Sequence, residues 1–418
     1  MKKLFGLLLF ILVFISCSPN YKQKKFRDKY MFSVELGKTN FTENISYSDV
    51  MGLMIIPVEI EGKTYNFLFD TGAITLVSPE LSHTLSSAKN NIDFQIEDSD
   101  GNIEKADFAI LPKITIGSVD FMNVGASVAD LSHFQELCVH IDGIVGSNLM
   151  RAIFWKVDFV NNTISFSDNK ENIQIHDPAI IFPFEENLGG SPQSQLKWAQ
   201  YDFLTMWDTG YNGSLQIVDS IFFNGRKYES MPLVSGKKIN LGTLHGKKKN
   251  IEESYITLLD SVIIIREWKE NRRFVGNLFE KQNVEIAPYP ASPLIGTKFM
   301  ESADEVLFNW KDKQIELKKM PSSEPKETFG FALYRNNDVV QVATILDNSE
   351  AQRKGLQIGD TIVSIYDKNL SYISQDIWCQ EFISFQNDEK NKDCISITVK
   401  KGNENRKITL NKYSIFSE

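Results

Sequence analysis

Cysteine is scarce in this chain: 4 in 418 residues, at Cys17, Cys138, Cys379 and Cys394. Spaced this widely, they make neither a disulfide framework nor a metal-ligand pattern. Cys379 and Cys394 are close enough in sequence to pair, and two buried thiols fit at least as well. The 5 histidines (His83, His133, His140, His176 and His245) form no His-x-x-x-His pair and no cluster with cysteine. Metal catalysis therefore has little support, and no cofactor is implied. Basic charge is also in deficit, with 45 Lys and Arg against 54 Asp and Glu and a net charge of −9. A nucleic-acid partner is correspondingly disfavoured. The short runs Lys24-Lys25 and Lys247-Lys248-Lys249 read as solvated loops. Disorder is excluded by a hydrophobic share of 42% against 24% charged. The length suits two or three domains.

Long apolar runs are lacking except at the N-terminus. Lys2 and Lys3 precede an almost wholly apolar stretch over residues 4–15. It is too short to span a bilayer and fits a signal peptide. It ends in Phe14-Ile15-Ser16-Cys17, which resembles a bacterial lipobox, with Phe14 where Leu is usual. The resemblance implies a signal peptide over 1–17, lipidation of Cys17 and attachment to a membrane. The following Ser18-Pro19-Asn20-Tyr21-Lys22 carries no acidic export tag, which favours an anchor facing the periplasm.

What the chain does have is one tripeptide twice: Asp70-Thr71-Gly72 and Asp208-Thr209-Gly210. Each ends an apolar stretch, Phe67-Leu68-Phe69 in the first case and Phe203-Leu204-Thr205-Met206-Trp207 in the second. Two carboxylates in tight glycine turns at the ends of buried strands suit water activation. Like charges that share a site cannot both ionise cheaply, so one stays charged while the other holds a proton.

The surrounding sequence reads as strands. Met54 to Ile60, a turn at Glu61-Gly62-Lys63 and Thr64 to Phe69 make a hairpin. Ser78-Pro79-Glu80 reads as a helix start. Asp98-Ser99-Asp100-Gly101-Asn102 reads as a turn between two strands, and Ile110 to Val119 and Gly125 to Val128 as further strands. The apolar run Ile144-Val145-Gly146 precedes a short helix and a closing hairpin, Phe154 to Phe159 and Thr163 to Phe166. The second copy repeats the plan with Leu294-Ile295-Gly296 and a hairpin from Val306 to Leu317. The two Asp are 208 − 70 = 138 residues apart and the two Gly 296 − 146 = 150, which argues for duplication of one all-β unit. Segment 168–200 would connect the halves, and residues 320–327 read as a polar, Pro-containing linker.

Phe69-Asp70-Thr71-Gly72-Ala73 with Asp142-Gly143-Ile144-Val145-Gly146 resembles the retropepsin-like aspartic proteases. The resemblance covers roughly residues 50 to 318. It implies a mainly β fold of two retropepsin-like β-barrel lobes, 18–167 and 168–319, forming a pepsin-like pseudo-dimer within a monomer. It assigns catalysis to Asp70 and Asp208 as an endopeptidase dyad acting on polypeptide substrates through one water. Thr71, Gly72, Gly146, Thr209, Gly210 and Gly296 become supports of that site: glycines for close backbone approach, threonines for bonds across the lobe interface. The turn at Asp100-Gly101 falls where the family has its flap, with a weaker counterpart at Leu244-His245-Gly246. Two departures stand out. Tyr211 occupies a place where a small residue is usual. Ala73 supplies no hydroxyl to the first carboxylate, which implies activity at milder pH than a gastric enzyme.

Residues 328–412 resemble a PDZ domain. The resemblance rests on Thr328-Phe329-Gly330-Phe331, on Asn348 to Gly355 as a capped helix, and on the Gly359-Asp360 turn. It implies capture of a C-terminal peptide by the loop at Phe329, Gly330 and Phe331, with Gln375 to Ser384 as the helix beside the groove. Two readings follow. One is a membrane-anchored aspartic endopeptidase with a peptide-capturing module. The other is a catalytically inactive peptide-binding scaffold on the cell envelope, for which Tyr211 is the best support.

Overall fold

The computed structural model describes residues 24–84, 90–97, 103–136, 138–198, 201–224, 232–239, 251–259, 263–265, 274–277, 282–287, 291–322 and 327–416. The expected signal-peptide run with Cys17, both expected flap turns and half of the expected linker (323–326) lie outside these residues.

The described chain is mainly β. In the first half, β1 (Thr42–Ser46) precedes the hairpin of β2 (Leu53–Ile60) and β3 (Lys63–Asp70). Glu61 and Gly62 between them have φ of 51° and 77°. Two left-handed residues make a two-residue turn whose twist matches the flanking strands. After β4 (Leu76–Val77) comes helix α1 (Pro79–Thr84), whose Leu81 amide donates to the Ser78 hydroxyl at 3.1 Å. The start expected at Ser78-Pro79 is thus where the helix begins.

The hairpin of β5 (Asn90–Glu97) and β6 (Ile103–Ile116) follows, with Glu97 opposite Ile103. It flanks the turn expected at 98–102. β7 (Val119–Val128) then runs antiparallel to β6. One strand was expected across 110–119; instead Gly117, at φ 58°, reverses the chain there. Helix α2 (Ser132–Glu136) leads into β8 (Gly143–Gly146), and α3 (Ser147–Met150) follows at once.

The burial of β3 explains its composition. Phe67, Leu68 and Phe69 are all fully buried because both faces of the strand are covered. Phe67 and Phe69 enter the main core, while Leu68 faces a second apolar cluster with Leu53, Leu76 and Ile144. Parallel pairing with β8 sets Gly146 level with Asp70. A doubly covered strand reads as a continuous apolar run rather than an alternating one.

The closing hairpin consists of β9 (Phe154–Asp158) and β10 (Thr163–Ser167). Beyond β11 (Ile180–Pro183), the second half repeats the scheme. Its strands are β12 (Pro192–Trp198), β13 (Tyr201–Trp207), β14 (Leu215–Val218), β15 (Leu233–Ile239), β16 (Ile251–Leu259), β17 (Gln282–Ala287) and β18 (Leu294–Ile295). Helix α4 (Thr297–Glu301) and the hairpin β19 (Glu305–Asn309) and β20 (Gln314–Leu317) close it. The two closing hairpins meet in one six-stranded sheet, in which β9 pairs antiparallel with β19 from Phe154–Asn309 to Asp158–Glu305. Trp155, Phe166 and Phe308 pack fully buried on this shared floor. Each such side chain contributes about 1.5–3 kcal/mol by burial, so the two halves share one core.

The C-terminal unit contains β21 (Phe331–Asn336), β22 (Val339–Leu346), α5 (Glu350–Arg353), β23 (Thr361–Ile365), α6 (Gln375–Asn391), β24 (Cys394–Lys401) and β25 (Glu404–Asn411). Ser349 caps α5 by accepting from the Gln352 amide at 3.1 Å, and Gly355 ends it at φ 82°. The unit does not hang on a linker alone. β22 pairs antiparallel with β15 of the second half, Gly236 opposite Leu346 and Lys238 opposite Thr344. Cys138, after α2, forms a disulfide with Cys379 of α6. The pairing considered between Cys379 and Cys394 does not occur, and Cys394 is a free, exposed thiol. Sequence distance misled here: 241 residues separate the bonded pair.

Candidate active site

Asp70 and Asp208 end β3 and β13, and the fold brings them together. Their carboxyls are hydrogen-bonded to each other, and each residue is only 8% exposed. A β-carbon added at Gly72 would come within 2.4 Å of the Asp208 carboxyl carbon, and one at Gly210 within 2.4 Å of Asp70 Oδ2. Each glycine therefore makes room for the carboxyl of the opposite half. The Gly72 and Ala73 amides donate to Asp70 Oδ1 at 2.7 and 3.1 Å, and the Gly210 amide donates to Asp208 Oδ1 at 2.8 Å.

The threonines lock the two turns together. The Thr71 amide donates to Thr209 Oγ1 at 2.9 Å, and the Thr209 amide donates to Thr71 Oγ1 at 3.1 Å. Each hydroxyl in turn donates to a backbone carbonyl of the other half, Thr71 to Trp207 at 2.7 Å and Thr209 to Phe69 at 2.8 Å. All four bonds are buried, where an unmade partner is expensive. The carboxyls are thereby fixed relative to each other.

Gly146 and Gly296 sit beneath the loops, as expected. A β-carbon at Gly146 would lie 2.2 Å from the Ile74 carbonyl carbon, and one at Gly296 2.3 Å from the Gly213 oxygen. Neither position has room for a side chain.

Several supporting residues escaped the sequence reading. Ser147 Oγ donates to the Thr71 carbonyl at 2.6 Å, and Thr297 Oγ1 donates to the Tyr211 carbonyl at 3.3 Å. Both follow the paired glycines directly, a correspondence that the 150-residue offset already held. Ser191 Oγ, at 3.0 Å, donates to the Gly72 carbonyl from the other half. It belongs to a turn with Gly190 at φ 93°, matched by Gly52 at φ 82°. These glycines are 190 − 52 = 138 residues apart, the spacing of the two Asp. Each turn reaches across: Asn212 Nδ2 donates to the Met51 carbonyl at 3.1 Å.

The Tyr211 side chain does not enter the dyad, although the Tyr211 amide donates to the Asp208 carboxyl. Its ring lies over Gly213, and its hydroxyl donates to Glu285 Oε2 at 3.1 Å. Burial and the neighbouring Glu285 carboxylate hold the phenol well above its ordinary pKa, so it stays protonated. The bulk that distinguishes the second motif is absorbed behind the loop by small neighbours.

Burial raises the pKa of both carboxyls. For Asp208 the shift is large, with desolvation first and the Asp70 charge second. Asp70 rises less, because bonds from Asp208, Gly72, Ala73 and Gly210 favour its charged form. The pair is therefore arranged to hold one proton between its two hydrogen-bonded carboxyls. It titrates as a unit. Among the described residues, no group of three or more His, Cys, Asp and Glu side chains is placed to hold a metal.

Residues 56–149 match the aspartyl protease family model. The segment includes Asp70, the β5–β6 hairpin and Gly146. No curated protein matches the sequence. Solved structures similar to the chain include basic 7S globulin from soybean, at 13% identity and TM-score 0.40, covering 68% of this chain and 95% of that one. An aspartic proteinase from Irpex lacteus is similar at 9% identity and TM-score 0.39, covering 67% and 98%. A retropepsin-like aspartic protease from Rickettsia conorii is similar at 18% identity and TM-score 0.23, covering 32% and 93%.

In the C-terminal unit, Phe329 and Phe331 are buried in the local core. Gly330 adopts φ 83°, and its amide donates to Thr328 Oγ1 at 3.1 Å. Among the described residues β21 has a partner strand, β22, on one edge only. Helix α6 runs along β21 in the opposite sense. Phe385 packs near Phe331 with ring centroids 6.4 Å apart, and Arg335 Nη1 donates to Gln375 Oε1 at 2.8 Å.

Proposed function

We propose that this chain is an aspartic endopeptidase whose two half-sites, Asp70 and Asp208, act on one water. The observation that carries this reading is the pair of buried carboxyls held together by the reciprocal Thr71–Thr209 bonds. Asp70, as the carboxylate, takes a proton from the water as it attacks the peptide carbonyl carbon. Asp208, as the acid, donates its proton to the carbonyl oxygen. The gem-diol intermediate then collapses as Asp70 gives its proton to the leaving nitrogen and Asp208 takes back the hydroxyl proton, which restores both carboxyls and leaves the new acid and amine. The β5–β6 hairpin is the flap that excludes water from this step.

Residues 18–167 and 168–319 are the two protease lobes, and 328–412 is a PDZ-type module joined at 320–327. The open edge of β21 and the facing α6 suit an extended polypeptide, added as a further strand with its C-terminal carboxylate near Phe329, Gly330 and Phe331. Because Thr328 already engages the Gly330 amide, a carboxylate must displace that hydroxyl. The mature chain begins at a lipidated Cys17 and faces the periplasm from the membrane. Polypeptides are its substrates and the protomer works alone.

Purified protein incubated with casein, with and without the statine-containing inhibitor pepstatin, tests the reading. Inhibitable cleavage is expected at mildly acidic pH. Binding of casein without cleavage at any pH would replace it with the scaffold reading.

A further inference from the structure

The C-terminal unit is fastened at two places, and the two fastenings hold different parts of it to different lobes. Its helix α6 is bonded through Cys379 to Cys138 in the first lobe, and the Gln375 side chain adds a bond to the Gln135 carbonyl at 2.7 Å. Its sheet is joined through β22 to β15 in the second lobe. The join is close: a β-carbon at Gly236 would meet the Ile345 oxygen at 2.5 Å. Asp347 reinforces it, its amide donating to the Ser235 carbonyl at 2.9 Å and its carboxylate accepting from Ser235 Oγ at 2.7 Å. Leu346 and Ile415 complete an apolar seam with Ile256.

Both anchor points lie on elements of the catalytic lobes. Cys138 stands four residues before Asp142, at the entrance to β8, which pairs with the strand carrying Asp70. Val139 and Ile141 pack in the cluster that also receives Ala73 and Ile74 of the first catalytic loop. Cys138 has φ 64°, a left-handed conformation that a residue with a β-carbon rarely adopts unaided. β15 belongs to the hairpin that corresponds in the second lobe to the β5–β6 flap.

From this arrangement we infer that the C-terminal unit is a strap that couples its own peptide groove to the catalytic cleft, with the Cys138–Cys379 disulfide as the link. The inference rests on the function proposed above. One wall of the groove, α6, is tied to the first lobe, and the other, β21 on β22, is tied to the second. A strand entering the groove presses the walls apart, and the push passes through Cys138 to the segment before β8 and through β22 to the β15–β16 hairpin. By reciprocity, a ligand that closes the cleft alters the groove. A dithiol reductant cuts the link: it gives two electrons and two protons to the disulfide, leaving Cys138 and Cys379 as thiols, and becomes a cyclic disulfide itself.

Amide hydrogen exchange on the full chain tests this, with pepstatin as the cleft ligand. In the oxidised wild type, saturating pepstatin is expected to slow exchange in the catalytic loops and, by about threefold or more, in α6, although α6 lies outside the cleft. In the Cys138→Ser, Cys379→Ser double variant, pepstatin should still protect the catalytic loops and leave α6 unchanged. Gly236→Val should break the coupling from the other side, raising exchange in β15 while the disulfide stays formed. Equal protection of α6 in wild type and double variant overturns the inference, as does protected loops with an unaltered α6 in wild type. If pepstatin leaves the wild-type catalytic loops unprotected, the proposed function is contradicted and the coupling falls with it.

Discussion

Thr71 and Thr209 bind each other symmetrically: each amide donates to the other's hydroxyl, at 2.9 and 3.1 Å. Each Asp-Thr-Gly turn is bonded to the other half, because each hydroxyl also serves a carbonyl across the interface. Thr71→Val keeps the shape and removes the hydroxyl, leaving the Thr209 amide and the Trp207 carbonyl buried without partners. The expected loss is about 2–4 kcal/mol, from two unsatisfied groups. Thr71→Ser should recover most of it. Denaturant unfolding of both variants checks the difference, and equal stabilities would remove the interlock from the account.

The pH dependence follows from the shared proton. Asp70 and Asp208 both have raised pKa values, Asp208 far more so. Activity should fall at low pH as Asp70 takes a proton, and at high pH as Asp208 loses its own. Because both limits lie above the ordinary carboxylate value of about 3.9, the optimum should lie well above that of a gastric enzyme. A pH–rate profile with its maximum near about pH 2 contradicts this.

Stability carries the same sign. A carboxyl whose folded pKa is raised favours the fold fully below its unfolded pKa, and that contribution is lost as pH rises through the folded value. At neutral pH, Asp208→Asn removes the acid whose deprotonation opposes folding. It should raise the melting temperature at neutral pH, gain little near about pH 3, and abolish cleavage. A lower melting temperature at neutral pH would refute the proton assignment.

Ser191 reaches the first Asp-Thr-Gly loop from the opposite half through the Gly72 carbonyl and Ser147. Ser191→Ala should lower kcat by about fivefold with KM unchanged, for a cost of about 1 kcal/mol. Ser191→Thr should restore part of the rate. A KM effect alone would place Ser191 in substrate binding instead.

Tyr211 tests whether the second motif is impaired. Its ring rests behind the loop and its hydroxyl is bonded to Glu285. Tyr211→Phe should cost about 1 kcal/mol of stability and leave the rate of cleavage nearly unchanged. A large rise in activity in Tyr211→Ala would mean that the ring obstructs the site.

Much of this site was legible because the duplication writes itself twice. The Asp-Thr-Gly turns, the paired Gly146 and Gly296 and the closing hairpins all follow from local apolar runs ended by glycine. Their packing in the fold agrees with that pattern. The hydroxyl of Ser191 was not legible, because a serine next to a glycine looks like any loop serine until the opposite half is in place. The turn at Gly117 was missed because apolar residues continue on both sides of it. The Cys138–Cys379 bond was hidden for the opposite reason. Its partners belong to different units, and only the docking of α6 brings them to a Cα separation of 5.2 Å. The join of β22 to β15 is likewise a contact between edges, which no local pattern announces.

The central claim is that Asp70 and Asp208 together activate one water. Casein cleavage by Asp70→Asn at the wild-type optimum addresses it directly, alongside the variant's melting curve. The account predicts a folded protein with the rate lowered by at least about 10³. Cleavage at the wild-type rate by the folded Asp70→Asn protein would contradict it.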